Sequence, residues 1–79
     1  MSTSVRILDD DRLVHKVNQI AHFHEPYPHG QAVAGVVEHL KSFWTPAMRR
    51  QLIEFAAGDG AGRLHELVRE AVGVLEEQV

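Results

Sequence analysis

Six histidines are spread through 79 residues, at His15, His22, His24, His29, His39 and His65. Imidazole is the side chain best suited to hold a transition metal or move a proton near neutral pH. Spacing decides whether these six can act together. His22 and His24 form an H-x-H pair, which chelates readily from an extended strand or loop. On a helix, residues two apart point about 200° away from each other and cannot share an ion. His15 and His22 fall on one helical face, but seven residues rise about 10.5 Å, too far for one metal. His24 and His29 flank a proline-containing stretch and could meet if the chain folds back, yet spacing fixes no third ligand beside them. With no Cys in the chain, thiolate sites are excluded. The histidines are expected to be solvated or boundary imidazoles, and no metal ligand is assigned.

Other chemistries fare no better. No Ser or Cys nucleophile has a base at a suggestive spacing, and no pair of carboxylates carries an acid–base signature. "GDGAG" (Gly58 to Gly62) follows no strand and lacks the Lys-Ser/Thr of a phosphate loop. Asp9, Asp10 and Asp11 read as a capped, solvated helix start rather than as ligands. No catalytic residue and no cofactor-binding residue is expected.

The elements that would position any site are helical. No strand-like alternation of useful length occurs. After the Asp triplet, Leu13, Val17 and Ile20 share a stripe, with His24 at its end and Val14 and Ala21 beside it. "HEPYPHG" (His24 to Gly30) breaks the pattern, because two prolines one residue apart cannot continue a helix. A second segment, roughly Gln31 to Phe43, puts Val33, Val36, Val37, Leu40 and Trp44 on one side. Thr45 then reads as an N-cap and Pro46 as the first helical position. The third helix carries Met48, Leu52, Phe55 and Ala56 along its apolar side. It ends in "AAGDGAG", whose glycines are expected to supply a left-handed stop and a flexible link. A fourth segment, about Arg63 to Glu77, places Leu64, Leu67, Val68, Ala71 and Leu75 together. The expected fold is all-α, a compact bundle of about four short amphipathic helices. It forms one domain over 1–79, with a flexible 1–8 and loops at 24–30 and 57–62.

Size and charge limit the function. A domain this short buries only about 60% of its unfolded surface, so its core is thin. The formal charge of −3 argues against non-specific nucleic-acid binding, which needs a net basic face. No apolar run approaches the roughly 20 residues that span a bilayer, and "MSTSVRILDDDR" lacks an apolar signal core. Those features, with the absence of Cys, lead us to expect a cytoplasmic protein without nucleic-acid or membrane partners.

What remains is surface. "FWTPAMRR" (Phe43 to Arg50) is a helix–helix corner holding the only Trp of the chain and an Arg pair. Phe43 and Trp44 point about 100° apart. Either both close the core near the corner, or one anchors a contact beside Arg49, since Trp and Arg are enriched at binding hot spots. Arg50 points into solvent, Arg49 lies at the core boundary, and Ile53 sits off the core stripe. Asn18, a poor helix-interior residue, lies at the edge of the first stripe next to Gln19, where its amide can bond a neighbouring helix or a partner. The candidate partner surface is Asn18, Gln19, Phe43, Trp44, Arg49, Arg50 and Ile53.

Three blocks carry a family resemblance: "RLVHKVNQIAHF" (Arg12 to Phe23), "VEHLKSFWTPAMRRQL" (Val37 to Leu52) and "GDGAGRLHELVREAV" (Gly58 to Val72). Together they resemble the small delta subunit of NAD-dependent formate dehydrogenase in order, spacing and total length. Thr45 stands where that pattern has Asp, which keeps the capping chemistry. The resemblance implies an accessory role in a soluble complex that oxidises formate at a molybdenum or tungsten pterin centre and passes electrons through iron–sulfur clusters and flavin to NAD. It further implies docking on the large catalytic subunit, in support of assembly, stability or cofactor loading, without an active site or cofactor in this chain. The competing class is a free-standing helical binder or homodimeric regulator, which would hide the same patch against itself.

Overall fold

The computed structural model describes residues 8–78. Four α-helices make up the fold: α1 (Asp10–His24), α2 (His29–Phe43), α3 (Pro46–Ala57) and α4 (Glu66–Glu77). A short 3₁₀ turn, Asp59–Arg63, links α3 to α4, and the described residues contain no strand. The all-α reading holds. Of the N-terminal segment 1–8, all but Leu8 lies outside the described residues.

Local chemistry sets the helix ends. The Asp9 carboxylate accepts from the Arg12 N–H at 2.8 Å and starts α1, as the acidic triplet suggested. The Thr45 hydroxyl accepts from the Met48 N–H at 3.2 Å, with Pro46 in the first turn of α3. α2 starts earlier than the periodicity indicated, at His29 straight after Pro28. The loop is therefore shorter than 24–30, since His24 still belongs to α1 and Gly30 already belongs to α2. α4 starts later than expected, at Glu66, because Asp59–Arg63 winds as a separate 3₁₀ turn.

The glycine stop after α3 differs from expectation. No described residue has a positive φ, and Gly58 sits at φ −97°, ψ −138°. Glycine serves close approach instead. Gly60 is buried, and a Cβ there would run into the Phe55 ring. Gly35 plays the same part in α2, where a Cβ would strike the His24 ring.

The core runs down the centre of the bundle. Leu13, Val17 and Ala21 face inward from α1, and Ala32, Val36, Val37 and Leu40 from α2. Both helices thus bury an i, i+4, i+8 row, which makes Ala21 core and leaves Ile20 and Val33 half-buried at its edge. α4 contributes Leu67, Val68, Ala71, Val72 and Leu75, and it is the central element, packing on α1, α2 and α3. α3 is the least anchored. Leu52 is its one fully buried residue, while Met48, Ile53, Phe55 and Ala56 are half-buried.

Polar side chains fasten the helices where apolar contact runs out. Asn18 spans α1 and the entry to α4: its Nδ2 donates to the Arg63 carbonyl at 3.0 Å and its Oδ1 accepts from the His65 N–H at 2.9 Å. Two roles were open to its amide, a neighbouring helix or a partner, and both of these bonds stay within the chain, at the 3₁₀ turn and the N-cap of α4. Arg69 Nη1 reaches back to the carbonyls of Leu64 at 2.8 Å and Ala61 at 3.2 Å.

Candidate functional site

The corner is built from both of its helices. α2 ends at Phe43, and the chain turns extended at Trp44, whose N–H still bonds the Leu40 carbonyl at 3.0 Å. That turn drops the indole into the core, where Trp44 keeps 8% exposure. Phe43, one step back on the helix, is 74% exposed and stacks on His39 with ring centroids 4.8 Å apart. The expectation that both aromatics close the core therefore holds for Trp44 alone. The 100° between neighbouring helical positions sends Phe43 outward.

Arg49 also has an internal task. Its Nη1 donates to the carbonyls of Leu40 at 3.2 Å, Lys41 at 3.4 Å and, in a short bond, Trp44. These lie at the C-terminal end of α2, where the macrodipole is negative and, apart from the Leu40 carbonyl that also accepts from the Trp44 N–H, helical partners run out. One guanidinium from the first turn of α3 thus closes the end of α2. Arg50 stays exposed.

Beside the corner runs a groove between α3 and α4. Its wider part, about 480 Å³, is lined by Pro46, Arg49, Arg50, Ile53, Leu75 and Glu76. A narrower part, about 190 Å³, continues past Ile53 along Ala56, Ala57, Ala61, Arg69, Val72, Gly73 and Glu76. The two share Ile53 and Glu76, so they form one trough with an apolar floor and charged edges. Of the seven candidate partner residues, the structure brings Arg49, Arg50 and Ile53 to this trough. Asn18 is turned to the α4 entry, and Gln19 lines a separate shallow depression on α1 with Asp11, Arg12, His15 and Lys16. On the α4 side of the trough, Leu75 was expected in the apolar stripe, whereas Val72, Gly73 and Glu76 were not singled out from sequence. Its signal was Gly73, a glycine inside an otherwise good helix, where it costs about 1 kcal/mol relative to Ala.

The histidines gather elsewhere, where the α1–α2 connection meets the start of α4. Glu25 Oε2 lies 3.2 Å from His22 Nδ1 and 2.6 Å from His65 Nε2, and the two imidazoles meet edge-on. Hydrogen bonds from His65 and then His22 hold the Glu25 carboxyl below its ordinary range. His65 Nδ1 accepts from the Leu67 N–H at 3.0 Å and caps α4. Next to this cluster, His29 Nε2 lies 2.7 Å from Glu70 Oε2. That contact, with the charges of Glu70 and Glu66, raises the His29 pKa. Sequence spacing could not show either group, because each joins residues about forty positions apart through the fold.

The chain matches the family model described as NADH-dependant formate dehydrogenase delta subunit FdsD over residues 12–72. It belongs to that family. No curated protein and no solved structure matches it. In this delta subunit the corner residues build the fold: Trp44 fills the core, Thr45 and Pro46 start α3, and Arg49 closes α2. The matched span ends at Val72, midway along α4, so Gly73, Leu75 and Glu76 of the trough lie past it. Among the described residues no helix is long and apolar enough to cross a membrane.

Proposed function

We propose that this delta subunit is a non-catalytic accessory subunit of a cytoplasmic formate dehydrogenase complex, and that it docks on the large catalytic subunit through the trough between α3 and α4. The family match carries the association with the enzyme. The trough supports the choice of face, because it combines an apolar floor of Ile53, Ala56 and Val72 with Arg50 and Glu76 at its edges. A groove of that composition suits a partner helix or loop that brings an apolar anchor and an acidic group for Arg50. Docking there supports assembly, stability or cofactor loading of the large subunit and needs no pterin, iron–sulfur or flavin group in this chain.

Two variants test the face without touching the core. Gly73→Leu adds a side chain where a Cβ meets nothing within 4 Å, and it replaces glycine with a better helix former. Arg50→Glu reverses an exposed charge, which typically changes stability by less than about 1 kcal/mol. Gly73→Leu alone should melt at or above the wild-type temperature and Arg50→Glu within a few degrees of it, yet each should lose co-purification with a tagged large subunit. Normal co-purification of both would remove the trough from the interface. Concentration-dependent dimerisation abolished by the same two variants would assign the face to a second copy of this chain instead.

A further inference from the structure

We propose that His29, Glu66 and Glu70 form a binding site for a divalent first-row transition-metal ion, zinc being the probe of choice, which clips the start of α2 to the first two turns of α4. One ligand atom from each of the three lies within 4.8 Å of the others. Bound to zinc at about 2.0–2.2 Å, tetrahedral ligand atoms stand roughly 3.3 Å apart. The 2.7 Å contact of His29 Nε2 with Glu70 Oε2 therefore has only to open slightly. Glu66 and Glu70 are four residues apart on α4, so successive turns present both carboxylates on one face. His29 is the first residue of α2, and its side chain reaches them from the facing helix start. One imidazole and two carboxylates suit late first-row ions, with the remaining positions left to water.

Proton placement selects this cluster over its neighbour. At His22–Glu25–His65, the capping bond from the Leu67 N–H needs the His65 Nδ1 lone pair. In neutral His65 the proton is then on Nε2, which donates to Glu25. A metal on Nε2 would drive that proton to Nδ1 and dissolve the cap of α4. His29 carries no such conflict. Its described polar contact is Nε2 with Glu70, and Nδ1 can keep the ring proton while Nε2 binds the ion. Glu70 and Glu66 raise the pKa of the empty ring, and Glu25, Tyr27 and His65 line the same depression. Zinc binds only the unprotonated nitrogen, so affinity rises with pH.

The test is zinc titration of the untagged full chain by calorimetry, paired with thermal melts. Zinc should bind 1:1, release protons to the buffer, and raise the melting temperature by about 5 °C or more at saturation. His29→Ala and Glu70→Gln, each checked for wild-type helicity, should each abolish binding, while His22→Ala should leave it unchanged. No binding up to about 1 mM zinc, binding that survives His29→Ala, or binding lost in His22→Ala would each overturn the site. None of these outcomes bears on the docking trough.

Discussion

Replacing Arg49 with Glu separates two meanings of the Arg pair. From periodicity Arg50 points into solvent and Arg49 lies at the core boundary, which gives neither a partner inside the fold. In the structure Arg49 Nη1 donates to three carbonyls at the end of α2. The Leu40 carbonyl keeps the Trp44 N–H at 3.0 Å as a second partner, whereas the carbonyls of Lys41 and Trp44 depend more on the guanidinium. Losing hydrogen bonds from a charged donor costs about 1.5–3 kcal/mol. Partial exposure of Arg49 argues for the lower half of that range. A carboxylate placed at the negative end of α2 adds roughly 0.3–1 kcal/mol of repulsion. The expected loss is about 2–3 kcal/mol, which lowers the melting temperature of so small a domain by roughly 10–20 °C. Arg50→Glu should shift it by no more than a few degrees. Thermal melts followed at 222 nm (the helix signal) on both single variants decide the matter. Equal melting temperatures for the two would refute the capping role of Arg49.

Trp44→Ala should remove the largest core side chain near the corner and destabilise the chain by about 3–5 kcal/mol, close to all of its stability; an unchanged melting curve would mean that the indole is not core. Two exposed groups should set the pH dependence of melting, with opposite signs. The lowered Glu25 pKa means that its contribution is present above the ordinary carboxylate range and lost as pH falls through the folded-state value, so Glu25→Gln should flatten the acid limb. The raised His29 pKa means that its contribution is present in mild acid and lost as pH rises through the folded-state value, so Glu70→Gln should flatten the neutral-to-alkaline limb. Melts from pH 3 to 9 on the two variants read both effects, and limbs identical to wild type would dismiss both contacts.

Helix type and number were legible because each stripe repeats for three turns and because Asp9 and Thr45 are strong caps. The start of α4 was not, since its cap is a histidine and the chain is extended at Leu64 and His65, where periodicity already indicated helix. Trp44 was ambiguous because the chain leaves helical geometry there, so a wheel cannot say which way it points, and Arg49, though in the first turn of α3, finds its partners on the preceding helix. Asn18 was readable as an anomaly, though not as a clamp, because its partners Arg63 and His65 are more than forty residues away. The trough was hidden more deeply. It depends on how α3 seats on α4, which leaves Ile53 half-buried and Gly73 exposed, and no local pattern encodes that seating.

The weak seat of α3 bears on why an accessory subunit would have this shape. With only Leu52 fully buried, α3 adds polar ties to its apolar contacts: Arg49 to the end of α2, and Gln51 to Leu8, where the Leu8 N–H donates to Gln51 Oε1 at 3.2 Å. A partner seated in the trough would cover the half-buried side of Ile53 and Ala56 and press α3 onto α4. It would stabilise the weakest element of the bundle rather than the strongest. Binding at a partner concentration 100 times the dissociation constant adds about 2.7 kcal/mol to the folded state, a large share of what a domain this small has on its own. On the proposed docking face, the apolar area that the chain leaves partly exposed would then be the area through which the complex stabilises it. The tight corner then has a definite use. By locking the end of α2 to the start of α3, Trp44, Thr45 and Arg49 hold one wall of the trough in place without help from a partner.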